Sequence, residues 1–93
     1  MSITVNELSS LDNPKIIDIR SIENYNNNHI PGAKHIAYQD LLVNYSKYLD
    51  KNEMYYIYCR RGFTSSGLCQ FLEKQGYHVF NITGGYEAWI LTN

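Results

Sequence analysis

Cysteine and long apolar runs are both scarce in this 93-residue sequence. Its two cysteines, Cys59 and Cys69, are too few for the dense disulfide framework of small secreted domains. No apolar segment approaches the ~20 residues of a membrane-spanning helix, and Met1 leads directly into domain-like sequence rather than a signal peptide. We therefore expect a single cytoplasmic domain over residues 1–93, with no membrane as partner and with both thiols reduced.

Charge of one sign is equally scarce. The chain has 8 Lys and Arg residues against 9 Asp and Glu residues, which gives a net charge of -1. The longest basic stretch is the pair Arg60 and Arg61. Because nucleic acids attract strongly basic surfaces, this balance predicts no nucleic acid partner. The hydrophobic fraction of 44% is ordinary for a globular domain.

The residues around Cys59 organise the chain. An apolar run ends at this cysteine, two arginines and a glycine follow, and a helical pattern then begins at Thr64 or Ser65. This order predicts a buried strand, a tight loop and a helix N-terminus, with a thiol at the junction. Inward backbone N–H groups, the helix dipole and the guanidinium groups of Arg60 and Arg61 should favour thiolate over thiol and attract an anionic substrate.

Strand-like and helix-like segments alternate along the chain. Apolar runs predict strands at residues 2–3, 15–19, 34–37, 54–58 and 77–82. Helical spacing predicts helices after residue 4, at 22–26, within 38–49 as one helix or two, from 64 or 65 to about 76, and after 83–85. This alternation indicates a parallel sheet with helices on both faces. Such sheets bind ligands at the carboxyl ends of their strands, where Cys59 lies.

The first and last helices carry more specific expectations. Thr4 and Glu7 fit a capping box that begins the first helix, whose apolar face would include Leu11. In the last helix Trp89 is expected in the core, with Leu91 as a candidate for the same face. Both helices would then pack their apolar sides on the sheet.

Three motifs resemble those of rhodanese-like domains and occur in the family's order. They are Ile17-Asp18-Ile19-Arg20 with Glu23, Tyr25 and His29-Ile30-Pro31-Gly32-Ala33, then Tyr58 to Ser65, and then Gly84-Gly85-Tyr86-Glu87-Ala88-Trp89. The motifs span the chain from about Ile16 to Trp89, so it is identified as one rhodanese-like domain. The resemblance implies a three-layer α/β/α domain with a central, mostly five-stranded parallel sheet.

The resemblance also implies a sulfurtransferase that forms a persulfide on Cys59. The Cys59 thiolate would attack the outer sulfur of a small anionic donor such as thiosulfate. It would then pass that sulfur to cyanide, to a thiol or to a carrier protein, without a cofactor. Inward N–H groups of the loop would hold the terminal sulfur as an anion. The residues expected to bind substrate are Arg60, Arg61, Gly62, Phe63, Thr64 and Ser65.

The loop departs from the family's pattern at two positions. Many members have an arginine where this chain has Thr64, and a small polar residue where it has Arg61. The loop keeps its positive charge but carries it at a different position. The sequence therefore leaves open which sulfur donor is preferred. The loop has the short length of sulfur-handling members, whereas phosphatases of the same fold use a loop one residue longer that ends in an arginine.

Other polar residues are expected to have structural roles. Asp18 and Arg20 should brace the sheet end through an ion pair, and Arg20 is also a candidate for the pocket rim. The spacing of His29 and His35 does not suggest a metal site. Cys69 lies more than one helical turn beyond the start of its helix, so we expect an inert thiol there rather than a redox partner.

The sequence leaves three other functions open. The domain could relay persulfide sulfur between proteins, with thiosulfate activity only incidental. It could be a non-catalytic binding or regulatory module, although the retained Cys59 and the basic loop argue against this. Phosphatase or arsenate reductase chemistry is disfavoured by the short loop and by Thr64.

Overall fold

The computed structural model describes residues 1–92 and contains five strands and six helices within them. The strands are β1 (Ser2–Ile3), β2 (Ile16–Asp18), β3 (Lys34–His35), β4 (Met54–Tyr58) and β5 (His78–Ile82). The helices are α1 (Val5–Ser9), α2 (Ile22–Asn27), α3 (Tyr38–Val43), α4 (Tyr45–Tyr48), α5 (Phe63–Lys74) and α6 (Gly85–Thr92). The predicted domain runs to Asn93, which lies outside the described residues.

All strand pairs are parallel, and the sheet order is β1-β5-β4-β2-β3. The predicted α/β fold with a five-stranded parallel sheet is therefore confirmed. Ile57 of the central strand β4 lies opposite Ile17 of β2 and Asn81 of β5. Because the strands are parallel and in this register, the segments that follow β2, β4 and β5 meet at one edge of the sheet, where Cys59 lies.

Both faces of β4 are buried, as its near-continuous apolar sequence predicts. Ile57 packs in one core cluster with Leu68 and Leu72 of α5. The next residue, Tyr58, points to the opposite face and packs in a second cluster with Ile30. Two cores of this kind hold the carboxyl end of β4 from both sides.

The structure differs from the sequence-based expectations at several helix ends. Within residues 38–49 the sequence left one helix or two open, and the structure has two, which are separated at Asn44, where the backbone leaves the helical region. The capping box of α1 is present, but this helix ends at Ser9, so Leu11 lies beyond it and is exposed. Leu91 points away from the core with 87% of its surface exposed, so its predicted packing is wrong.

Helix α5 begins at Phe63, one residue before the earlier of the two starts that the sequence predicts. Its N-cap is Gly62, whose φ of 93° lies in the left-handed region that favours glycine. The chain therefore turns into the helix directly at the end of the cysteine loop.

Candidate active site

Cys59 follows β4 directly and lies at the base of an open cavity of about 360 Å³. Only 9% of the residue is exposed. The cavity is lined by Ile19, Arg20, Ser21, Asn24, Arg60, Arg61, Phe63 and Thr64 together with Cys59 itself. The sheet edge and the start of α5 thus bring most of the predicted site residues around one thiol.

The Cys59 sulfur accepts hydrogen bonds from the loop that surrounds it. The Gly62 N–H lies 3.2 Å from Sγ and the Ser65 N–H 3.3 Å, while the Ser65 hydroxyl oxygen is 3.2 Å away. Burial alone would raise the pKa of Cys59, but these donors and the Arg61 N–H hold it below its ordinary value. The site therefore favours the thiolate more than the surroundings of an ordinary cysteine do, as the sequence predicts.

The two arginines of the loop do not turn toward the sulfur. Arg60 Nε and Arg61 Nε lie 3.1 and 3.6 Å from the same carboxylate oxygen of Glu87, on α6. Their side chains are 71% and 63% exposed, so they form the rim of the cavity. The guanidinium groups were expected to help ionise Cys59. Hydrogen bonds within the loop lower its pKa instead. Since one carboxylate faces two cations, the rim keeps a positive charge.

The N-terminus of α6 holds the outer side of the loop. The Tyr86 N–H donates to the Cys59 carbonyl at 2.9 Å, and the Glu87 N–H donates to the Arg60 carbonyl at 3.0 Å. Gly85 allows this approach, because a Cβ there would lie 2.4 Å from the Cys59 carbonyl oxygen. With its carbonyls bound to α6, the loop is free to direct N–H groups at the sulfur. Gly85 is part of the third sequence motif, but the sequence alone predicted no contact between it and the loop.

Asp18 and Arg20 form the predicted ion pair at the neighbouring strand end. Arg20 Nη2 lies 2.8 Å from Asp18 Oδ2, and its Nε is 3.1 Å from both carboxylate oxygens. Arg20 also donates to the Asn28 carbonyl, and its guanidinium lies over the Tyr86 ring at 4.1 Å. The Tyr58 hydroxyl donates to Asp18, and burial raises the pKa of Tyr58. Arg20 therefore braces the sheet end while its edge lines the cavity.

Asn81 belongs to the site but was missed from the sequence. It is a buried polar residue near the end of β5, and its Nδ2 donates to the Gly62 carbonyl at 3.2 Å. Its Oδ1 accepts a hydrogen bond from the Ser65 hydroxyl. An amide between the apolar residues Phe80 and Ile82, near the end of a predicted strand, was the available signal.

A family model for the rhodanese-like domain matches residues 4–92. The chain belongs to the rhodanese-like domain family. This match confirms the resemblance carried by the three sequence motifs.

Relatives and solved structures support the same assignment. YtwF of Bacillus subtilis, provisionally named a sulfurtransferase, is 36% identical over 74 residues, or 80% of this chain and 71% of YtwF. The thiosulfate sulfurtransferase GlpE of Coxiella burnetii is 35% identical over 75 residues, which cover 80% of this chain and 69% of GlpE. A rhodanese-like domain protein from Staphylococcus aureus superposes with a TM-score of 0.84 at 35% identity, over 95% of this chain and 89% of that protein.

Two further residues of the rhodanese loop lie on its outer side. Phe63 is 79% exposed at the first position of α5, and Thr64 is exposed beside it. Both line the cavity that contains Cys59. Their position at the mouth, rather than beside the sulfur, suits contact with an incoming molecule.

The remaining candidate residues have structural surroundings in this rhodanese-like domain. Cys69 is free and 1% exposed, and burial raises its pKa to about 12. The His29 ring stacks on Tyr25 at 3.9 Å, and His35 Nε2 lies 2.7 Å from the Arg20 carbonyl oxygen. Within residues 1–92 no three metal-ligating side chains are grouped. None of the helices in that range has the length and apolarity needed to cross a bilayer.

Proposed function

We propose that this protein is a sulfurtransferase that carries sulfane sulfur as a persulfide on Cys59, with thiosulfate as its small-molecule donor. One observation carries the proposal: a buried thiol with a lowered pKa sits where the loop N–H groups of Gly62 and Ser65 converge. Family membership and the similarity to a relative named thiosulfate sulfurtransferase support it.

In the first step the Cys59 thiolate attacks the outer sulfur of thiosulfate. The S–S bond of thiosulfate breaks, sulfite leaves with the electron pair, and the enzyme keeps the sulfur as Cys59–S–S⁻. Thiosulfate is a dianion, so the positive rim formed by Arg60 and Arg61 favours its approach. The donors that surround Cys59 favour the ionised nucleophile that this step requires.

In the second step a nucleophile attacks the terminal sulfur. Cyanide gives thiocyanate and a thiolate gives a new persulfide, and in both cases Cys59 leaves as the thiolate with the electron pair of the broken S–S bond. The hydrogen bonds from Gly62 and Ser65 stabilise this leaving group. No proton, oxidant or cofactor is needed to balance either step.

A protein-to-protein persulfide relay is the second candidate. The exposed aromatic ring of Phe63 beside two exposed arginines favours it, because such a rim suits a protein surface better than a small anion. In this variant the donor and the acceptor are protein persulfides or thiol carriers, and the chemistry at Cys59 is unchanged.

Steady-state assays test the proposal and separate the two candidates. We expect thiocyanate formation from thiosulfate and cyanide by the wild type, and its loss in Cys59→Ser. A folded wild-type protein that forms no thiocyanate but accepts sulfur from a protein persulfide would favour the relay. Equal activity of Cys59→Ser and wild type would refute both.

A further inference from the structure

The hydrogen bonds around Asn81 determine which way its amide faces. The Gly62 carbonyl can only accept, so the atom 3.2 Å from it must be the Asn81 Nδ2 donor. The amide oxygen Oδ1 then faces the Ser65 hydroxyl, 2.5 Å from Oγ. Because Oδ1 can only accept, the Ser65 hydroxyl must supply the proton of that short hydrogen bond.

While it makes this bond, the Ser65 hydroxyl has no proton to donate to Cys59. A serine hydroxyl carries one proton, and Ser65 Oγ is also 3.2 Å from the Cys59 sulfur. While the proton points at Asn81, Ser65 presents a lone pair to the sulfur, which suits a protonated Cys59 that donates S–H to Oγ. A Cys59 thiolate instead needs the Ser65 proton to turn toward it, away from Asn81.

We propose that Ser65 and Asn81 form a hydrogen-bond switch that governs whether Cys59 holds a proton, with Asn81 competing against the sulfur for the single proton of Ser65. In the thiol form a continuous chain runs from Cys59 S–H to Ser65 O–H to Asn81 Oδ1. In the thiolate form Ser65 donates to the sulfur. Ser65 Oγ and Asn81 Oδ1 then face each other at short distance without a proton between them. Asn81 is thus a positioning residue that acts on Cys59 through Ser65.

The switch has a consequence for sulfur transfer, which rests on the proposed function. The free thiolate needs the Ser65 proton, whereas the inner sulfur of a persulfide is neutral and does not. Loading sulfur onto Cys59 therefore returns the Ser65 proton to Asn81, and release of sulfur draws it back. The loaded and unloaded states differ in the position of one hydroxyl proton.

The other charged and titratable groups near the loop do not take part in this switch. They are Arg20 at the end of β2, Arg60 and Arg61 in the loop, Glu87 on α6 and, farther back, the thiol of Cys69 on α5. Replacing Ser65 or Asn81 by a neutral residue leaves all of these charges in place. A change in the ionisation of Cys59 would then report the hydrogen bonds themselves.

The test is a thiolate titration of Cys59 by ultraviolet absorbance and by the pH dependence of iodoacetamide alkylation. All variants carry Cys69→Ala, so that one thiol is observed. Ser65→Ala removes the donor, and we expect the pKa of Cys59 to rise, with an ionisation constant about fivefold lower, the worth of one ordinary hydrogen bond. Asn81→Val removes the competing acceptor, and we expect the pKa of Cys59 to fall, with an ionisation constant about fivefold higher. The Gly62 carbonyl keeps the Ser66 N–H as a donor at 3.2 Å, so Asn81→Val does not leave it unpaired.

The double variant Ser65→Ala/Asn81→Val is the matched control. Without the Ser65 hydroxyl the loss of Asn81 should not move the titration, so the double variant should match Ser65→Ala. If Asn81→Val raises the pKa of Cys59 or leaves it unchanged, Asn81 only holds the loop and the switch is refuted. A lowering that persists in the double variant also refutes it. Should Asn81→Val not fold by circular dichroism, Asn81→Ala carries the same predictions.

The titration uses no sulfur donor, so it is independent of the proposed function. If Asn81→Val lowers the pKa of Cys59 as expected but Cys59 takes up no sulfur, the switch is supported and the proposed function fails. If Cys59 takes up sulfur but its titration does not respond to Asn81→Val, the proposed function is supported and the switch is refuted.

Discussion

Gly85→Ala tests the contact between α6 and the cysteine loop. A Cβ at this position would lie 2.4 Å from the Cys59 carbonyl oxygen and 2.8 Å from the Arg60 carbonyl group. These are backbone atoms, so the strand end or the helix must move. We expect the move to break the hydrogen bonds from Tyr86 and Glu87 to those two carbonyls.

The size of the destabilisation can be worked out from these hydrogen bonds and from the backbone of Gly85. Two hydrogen bonds contribute about 1 kcal/mol each. The φ of 60° at Gly85 adds about 1 kcal/mol for a residue with a side chain. Gly85→Ala should therefore lower the free energy of unfolding by about 3 kcal/mol, which is large against the 5–15 kcal/mol typical of small domains. Without partners for its carbonyls, the loop would no longer direct its N–H groups at the Cys59 sulfur. The pKa of Cys59 should then rise, and its alkylation rate should fall.

Gly67→Ala is the matched control, measured in the same urea titrations. Gly67 lies within α5, it is exposed, and an added Cβ would meet nothing within 4 Å. Because alanine favours a helix interior over glycine, we expect a gain of about 0.5–1 kcal/mol and unchanged reactivity of Cys59. If Gly85→Ala were as stable as Gly67→Ala and alkylated at the wild-type rate, the account of α6 as the outer support of the loop would be refuted.

Three other substitutions and one pH profile test separate parts of the site. Tyr58→Phe removes the buried hydroxyl bound to Asp18 and should lower the free energy of unfolding by about 1–2 kcal/mol in urea titrations; no loss would contradict the brace. Glu87→Gln releases both rim arginines and should lower the KM for thiosulfate about twofold, an effect that added salt reduces; a higher KM would count against a cationic rim. The alkylation rate of Cys59 should rise with pH through a midpoint below that of the same thiol in urea, because the thiolate reacts and its pKa is lowered only in the fold; an equal or higher midpoint would contradict the lowered pKa. Cys69→Ala should leave thiocyanate formation unchanged, whereas its loss in a folded variant would assign Cys69 a role.

Local sequence patterns were sufficient to predict where Cys59 lies in the fold. The order strand, cysteine, glycine and helix placed Cys59 at the carboxyl end of β4, because each of these elements is set by its own neighbours in the chain. The ion pair between Asp18 and Arg20 joins residues only two apart, so the sequence also predicted it. The match to the family then confirmed the fold as a whole.

What the sequence did not reveal depends on contacts between distant segments. Asn81 reaches Gly62 across 19 residues, and Glu87 reaches Arg60 across 27. These pairs meet only because β5 lies beside β4 and α6 packs against the loop. Backbone N–H groups were correctly predicted to favour the Cys59 thiolate. The contribution of the two arginines was misjudged, since the carboxylate that turns them outward comes from another element.

The break between α3 and α4 was also undecided from the sequence. Apolar residues recur at helical spacing on both sides of Asn44, so periodicity alone shows one continuous segment. The backbone at Asn44 leaves the helical region, which divides the segment in two. The site is not affected, because both helices pack on the face of the core that contains Leu41.

The most direct test of the central claim is the intact mass of the protein after incubation with thiosulfate. Wild type, Cys59→Ser and Cys69→Ala would be measured before and after cyanide is added. A persulfide carrier gains the mass of one sulfur atom in wild type and in Cys69→Ala, gains none in Cys59→Ser, and loses that sulfur to cyanide. A folded wild-type protein that gains no sulfur, or a gain that survives the loss of Cys59, would contradict the proposal that Cys59 carries sulfur from thiosulfate.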